Sequence, residues 1–152
     1  GSPPLPCPRR FRCRRQMTGV YCLAGEPQIR KVLRHAVAET KKRKVDALIF
    51  IGDCVEEDVD KLGAIAGELG LLGTPAFLFQ EGRDPIAEFA FRQIAKLTNG
   101  AYCPFDSVSA QTLRELLRAV AVFAAGGRKA LESLASNEGG AIRQIAHQVK
   151  RG

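Results

Sequence analysis

Seven residues, Val45-Asp46-Ala47-Leu48-Ile49-Phe50-Ile51, constrain this fold more than any other stretch of the chain. After Asp46 every side chain is apolar, so a strand here has no face to offer water. Strands of that kind belong in parallel sheets covered by helices on both sides. The surrounding pattern agrees. Val20-Tyr21-Cys22-Leu23, Pro75-Ala76-Phe77-Leu78-Phe79 and Ala101-Tyr102-Cys103 are further short apolar runs, and longer stretches with helical spacing lie between them. Strands alternating with crossover helices predict a mostly parallel sheet in a three-layer, Rossmann-like α/β domain. With 152 residues, 45% of them hydrophobic, the chain can bury one such core.

The helical stretches have their own punctuation. Ile29, Val32, Leu33, Ala36 and Val37 recur at i, i+3, i+4, and Lys41 to Lys44 close that helix with cations at the negative end of its dipole. Val59, Leu62, Ile65, Ala66 and Leu69 form a second stripe, with Glu56, Glu57 and Asp58 loading the first turn of that helix and Gly70 and Gly73 ending it. Asp84-Pro85 reads as an N-cap followed by proline at the first helical position, starting a helix to about Leu97. Ser109 is placed to cap another, with Leu113, Leu116, Leu117, Val120, Ala121 and Ala124 as its inner stripe and Gly126-Gly127 as its break. Short helices follow, from Arg128 to Ala135 and through Ile142, Ile145, Ala146 and Val149.

Charge is uneven. Arg9, Arg10, Arg12, Arg14 and Arg15 supply most of the net +7, among the prolines Pro3, Pro4, Pro6 and Pro8. Residues 1–16 therefore read as a mobile Pro/Arg-rich segment, and residues 17–152 as a near-neutral domain. The aromatics lie mostly in the expected strands and helices (Phe50, Phe77, Phe79, Phe89), with Phe11 alone inside a basic run, which argues against specific nucleic-acid recognition. No apolar run reaches the ~20 residues of a membrane span, and no hydrophobic leader opens the sequence. The expectation is a cytoplasmic protein whose five cysteines are thiols.

In open α/β sheets, ligands sit at the carboxyl ends of the strands. That selects residues 25–28, 52–58 and 80–84. Gly52-Asp53-Cys54 puts an acid and a thiol at the tip of what reads as the most buried strand, with Glu56, Glu57, Asp58 and Asp60 adding negative charge. Such density suits a hard cation such as Mg²⁺. It equally suits the start of a helix. Cys54 at a helix N-terminus is a candidate nucleophile for a small hydrolase or redox protein. His35 and His147, the only histidines, fall at no strand tip, so the base such chemistry needs is missing. The cysteine spacings match no structural zinc site, and no phosphate-cradling glycine loop follows a strand.

The pieces AGEPQIRKVLRHA (24–36), DALIFIGD (46–53), TPAFLFQEG (74–82) and FRQIAKLTNGAY (91–102), in this order, resemble the later part of a von Willebrand factor A domain. The likeness spans about Val20 to Leu131 and is greatest to bacterial cytosolic members without an enzymatic role. It implies a non-enzymatic protein-interaction module. Members of that family hold Mg²⁺ at a metal-ion-dependent adhesion site built from D-x-S-x-S on the first strand, a Thr in a later loop, and an Asp closing another strand. Here Asp53 matches the last Asp, Pro27 stands where the Thr belongs, and residues 1–16 contain no Asp. The resemblance thus implies a degraded site with Asp53 as its one remaining metal ligand. It also implies a contact face of Asp53, Glu56, Glu57, Asp58, Glu81 and Arg83 for a protein partner. The family's first strand, which lies beside the one matching Val45–Ile51, has no counterpart. The chain is expected to close that gap by forming a homodimer through the exposed strand or by rearranging its own strands.

Overall fold

A computed structural model of the chain describes residues 29–106, 108, 110–138 and 140–149. The expected strand Val20–Leu23, the loop carrying Pro27, the segment 1–16 and the capping Ser109 lie outside them. Three parallel strands, β1 (Leu48–Gly52), β2 (Ala76–Glu81) and β3 (Ala101–Phe105), pair in the order β1-β2-β3. Helix α1 (Ile29–Lys42) precedes β1, α2 (Val59–Leu71) joins β1 to β2, and α3 (Pro85–Leu97) joins β2 to β3. The chain ends in α4 (Ala110–Glu138) and α5 (Gly140–Gln148).

The layers follow from handedness. A sheet that grows one strand at a time in one direction, through right-handed crossovers, keeps its crossover helices on one face. Ile29, Leu33 and Val37 of α1, Leu62, Ala66 and Leu69 of α2, and Phe91 and Ile94 of α3 accordingly share one core with Phe50, Leu78 and Tyr102. Because successive strand residues point to opposite faces, Phe77, Phe79, Ala101 and Cys103 look the other way. There they meet Leu116, Val120, Leu131, Ile142 and Ile145 of α4 and α5. Phe77, Phe79 and Phe91 are fully buried, each worth about 2–3 kcal/mol of transfer free energy. The expected three-layer α/β architecture is what forms.

Local chemistry fixes the joints. Asp84 caps α3 by accepting from the amide of Ala87 at 3.3 Å, with Pro85 opening the helix as anticipated. At the far end, the Thr98 hydroxyl donates to the Ile94 carbonyl and accepts from the Ala76 amide, both at 2.9 Å, tying the end of α3 to the start of β2. Gly100 permits the same closeness: a Cβ there would lie 1.9 Å from the Ala76 oxygen. Gly127, at φ 75 and ψ −166, interrupts α4 where the glycine pair predicted a break.

Five sequence expectations need correction. Strand β1 starts at Leu48 rather than Val45, and the most buried strand is β2, whose first five residues are all buried; Leu48, Ile49 and Ile51 are half-exposed. The reason is position: β2 is central, while β1 has a strand partner on one side only among the described residues. Helix α2 begins at Val59, so Glu56 and Glu57 precede it and Asp60 is the acid of its first turn. The inner stripe of α4 is Leu116, Ala119 and Val120, with Leu117, Ala121 and Ala124 exposed. A stripe of small and large residues leaves the phase of the periodicity ambiguous by one position. Finally, Cys54 is disulfide-bonded rather than a thiol. Cys103 is the free cysteine of the described residues and is buried; Cys7, Cys13 and Cys22 lie outside them.

Candidate functional site

The carboxyl ends of three parallel strands make one edge of the domain. The register pairs Gly52 with Gln80 and Glu81 with Phe105, and Asp53 follows Gly52 directly at that end. Asp53, Glu57 and Glu81 are half-buried, while Glu56, Asp58 and Arg83 are exposed. The sequence-predicted residues are therefore brought to one end of the sheet.

Several of these acids already serve the fold. Asp58 is the N-cap of α2, its carboxylate accepting from the amide of Asp60 at 2.9 Å. Glu57 reaches sideways to α1 and accepts from the Arg30 amide at 3.1 Å. That amide is one of the donors a helix leaves unpaired in its first turn, and a carboxylate there also meets the positive end of the dipole. Asp53 makes no hydrogen bond or ion pair with a described residue. Among the described residues, no three His, Cys, Asp or Glu side chains converge to hold a metal ion.

Beside the acids lies a buried polar chain. Gln80, fully buried at the end of β2, donates through Nε2 to the Asp84 carbonyl at 2.9 Å. Its Oε1 accepts from the Tyr102 phenol at 2.6 Å. The Arg92 guanidinium lies 4.5 Å above the Tyr102 ring and pairs with Glu88 at 3.0 Å. Burial, then the negative charge of Glu88, pushes the Tyr102 phenol above its ordinary range, with Arg92 opposing. Tyr102 therefore stays protonated near neutrality and works as a hydrogen-bond donor that fixes Gln80, and Gln80 fixes the loop into α3.

That loop presents two side chains the sequence reading passed over. Ile86 and Phe89, on the first turns of α3, are 60% and 57% exposed. They lie next in sequence to Arg83 and Asp84. The signal was legible: the buried stripe of α3 is Ala87, Ala90, Phe91, Ile94 and Ala95, and Ile86 and Phe89 fall off its phase. Gln80 was legible too, as the first polar residue at the end of an apolar strand.

No family model, curated protein or solved structure matches the chain. Cys54, the nucleophile of the alternative reading, sits two residues past β1 in a disulfide, and a disulfide sulfur has no thiolate to attack with. Among the described residues, no helix is long and apolar enough to cross a membrane.

Proposed function

We propose that the strand-tip face is the docking surface of a non-enzymatic protein-interaction module of von Willebrand factor A type, with an incomplete metal site. The exposure of Ile86 and Phe89 beside the charged tips is the observation that carries this reading. An aromatic and a branched aliphatic side chain flanked by charged groups have the make-up of an interface: apolar contact at the centre, charge at the rim. The resemblance to the family supplies the rest, together with the position of Asp53 directly after β1 at the carboxyl end of a parallel sheet.

The charge of the face points to the chemistry of the partner. Asp53, Glu56, Asp58 and Asp60 favour a partner segment carrying Lys or Arg next to an apolar residue. An array of immobilised peptides tests this. Lys/Arg-rich peptides with a central Leu or Phe should retain the full chain, and chelator should change nothing. Phe89→Ala should weaken retention by about tenfold or more, and Asp53→Ala with Glu56→Ala should remove its salt dependence. Retention by acidic peptides, or only with Mg²⁺ present, contradicts the reading.

A further inference from the structure

Among the described residues, the sheet has one edge that is chemically guarded and one that is not. In a parallel strand, the amide and carbonyl of alternate residues point to alternate sides. The Leu48 amide donates to the Pro75 carbonyl at 2.9 Å, so Leu48, Phe50 and Gly52 face β2, and the backbone of Ile49 and Ile51 faces outward. No described strand lies on that side. β1 carries no proline and no charged residue to blunt such an edge.

Three observations show what belongs there. First, α1 shares its core with α2 and α3, on the same face of the sheet. A strand preceding α1 and followed by a right-handed crossover on that face must lie on the side of β1 away from β2. Second, the bond from the Arg30 amide to Glu57 fixes the N-terminus of α1 at the carboxyl end of β1. The chain enters α1 from the strand tips, so a strand feeding it runs parallel to β1. Third, 28 residues precede Ile29, and they include Val20-Tyr21-Cys22-Leu23, separated from α1 by five residues. Five residues span up to ~17 Å and fall within the usual length of a strand-to-helix loop. Cys54, two residues beyond β1, is disulfide-bonded, and it is not joined to Cys103, which is free. The bridge therefore leads out of the described residues at this corner of the sheet.

We infer that Val20–Leu23 of the same chain docks on the outer edge of β1 as a fourth parallel strand, pairing with the backbone of Ile49 and Ile51. The domain then completes its sheet from within, and the edge is not a dimer surface. Isotope-filtered nuclear Overhauser spectroscopy on the full, unreduced chain tests this. An equal mixture of labelled and unlabelled copies separates contacts within a chain from contacts between chains. The expected result is cross-strand amide-to-Hα contacts between residues 20–23 and residues 48–52, all within one chain, from a particle with the mass of a monomer. Contacts seen only between differently labelled copies would assign the edge to a second copy. Their absence in either form would leave Val20–Leu23 off the sheet, and either result overturns the inference.

Discussion

At β3 the outward backbone is closed by a side chain. Gln148 of α5 donates through Nε2 to the Tyr102 carbonyl and accepts at Oε1 from the Tyr102 amide, both at 2.8 Å. Its carboxamide thus does what a neighbouring strand would do. Two residues on, Pro104 has no amide to expose at the next outward position. At β1 the residues in the equivalent places are Ile49 and Ile51, with nothing of the kind among the described residues. An edge meant to stay free is blunted by proline, a clamp or charge. An edge meant to be paired keeps plain apolar residues of strand-forming type. The contrast says which end of the sheet is finished and which continues.

The comparison can be broken most severely at Gly100, where β3 leaves its loop against β2. Gly100→Ala puts a methyl 1.9 Å from the Ala76 oxygen, so strands must part; a loss of about 3 kcal/mol or more is expected, read as a collapsed melting transition by circular dichroism. Gln148→Ala should cost about 1–3 kcal/mol, since it leaves two backbone groups of Tyr102 without partners. Its sharper consequence is a newly sticky β3, seen as concentration-dependent mass by light scattering. Gln148→Ala remaining both fully stable and monomeric would remove the guarded half of the contrast. On the β1 side, Glu57→Ala should cost about 0.5–1 kcal/mol through the lost α1 contact, measurable by urea denaturation.

The smallest effect is one of pH. Burial raises both the Tyr102 phenol and the Cys103 thiol, two neighbours on β3. A group whose folded pKa is raised holds its proton longer in the folded state than in the unfolded one. Its contribution is complete below the unfolded value, about 8.5 for Cys and 10 for Tyr, and is lost as pH climbs through the folded value. Thermal melts should be level near neutrality and fall progressively above about pH 9. Cys103→Ala should flatten the earlier part of that fall and Tyr102→Phe the later part.

The layered parallel fold was legible because its signals are local and redundant. An all-apolar run such as Leu48–Ile51, the Asp84-Pro85 start and the Gly126-Gly127 break each state their role within a few residues. What escaped depends on neighbours distant in sequence. Gln148 is an ordinary polar residue at a helix end until the fold brings it to Tyr102, 46 positions away. Glu57 read as part of a charged tip and proves to hold the start of α1, 27 positions back. The acids of the candidate face lie at the carboxyl end of the sheet, but their capping duties could be assigned only once the helix starts were fixed. The chemistry of Cys54 was misread for the same reason, since a cysteine's partner is not encoded beside it.

Amide hydrogen exchange, resolved at single residues in the full chain, puts the two edges side by side. Tyr102, clamped by Gln148, is the internal reference. The account predicts that Ile49 and Ile51 exchange at least ~100-fold more slowly than unstructured amides, as Tyr102 does, at every concentration at which the chain is a monomer. It further predicts that replacing Val20 and Tyr21 together by proline accelerates Ile49 and Ile51 and leaves Tyr102 slow. Open-chain rates at Ile49 and Ile51 in the unaltered monomer, or protection there that appears only on association, would contradict it.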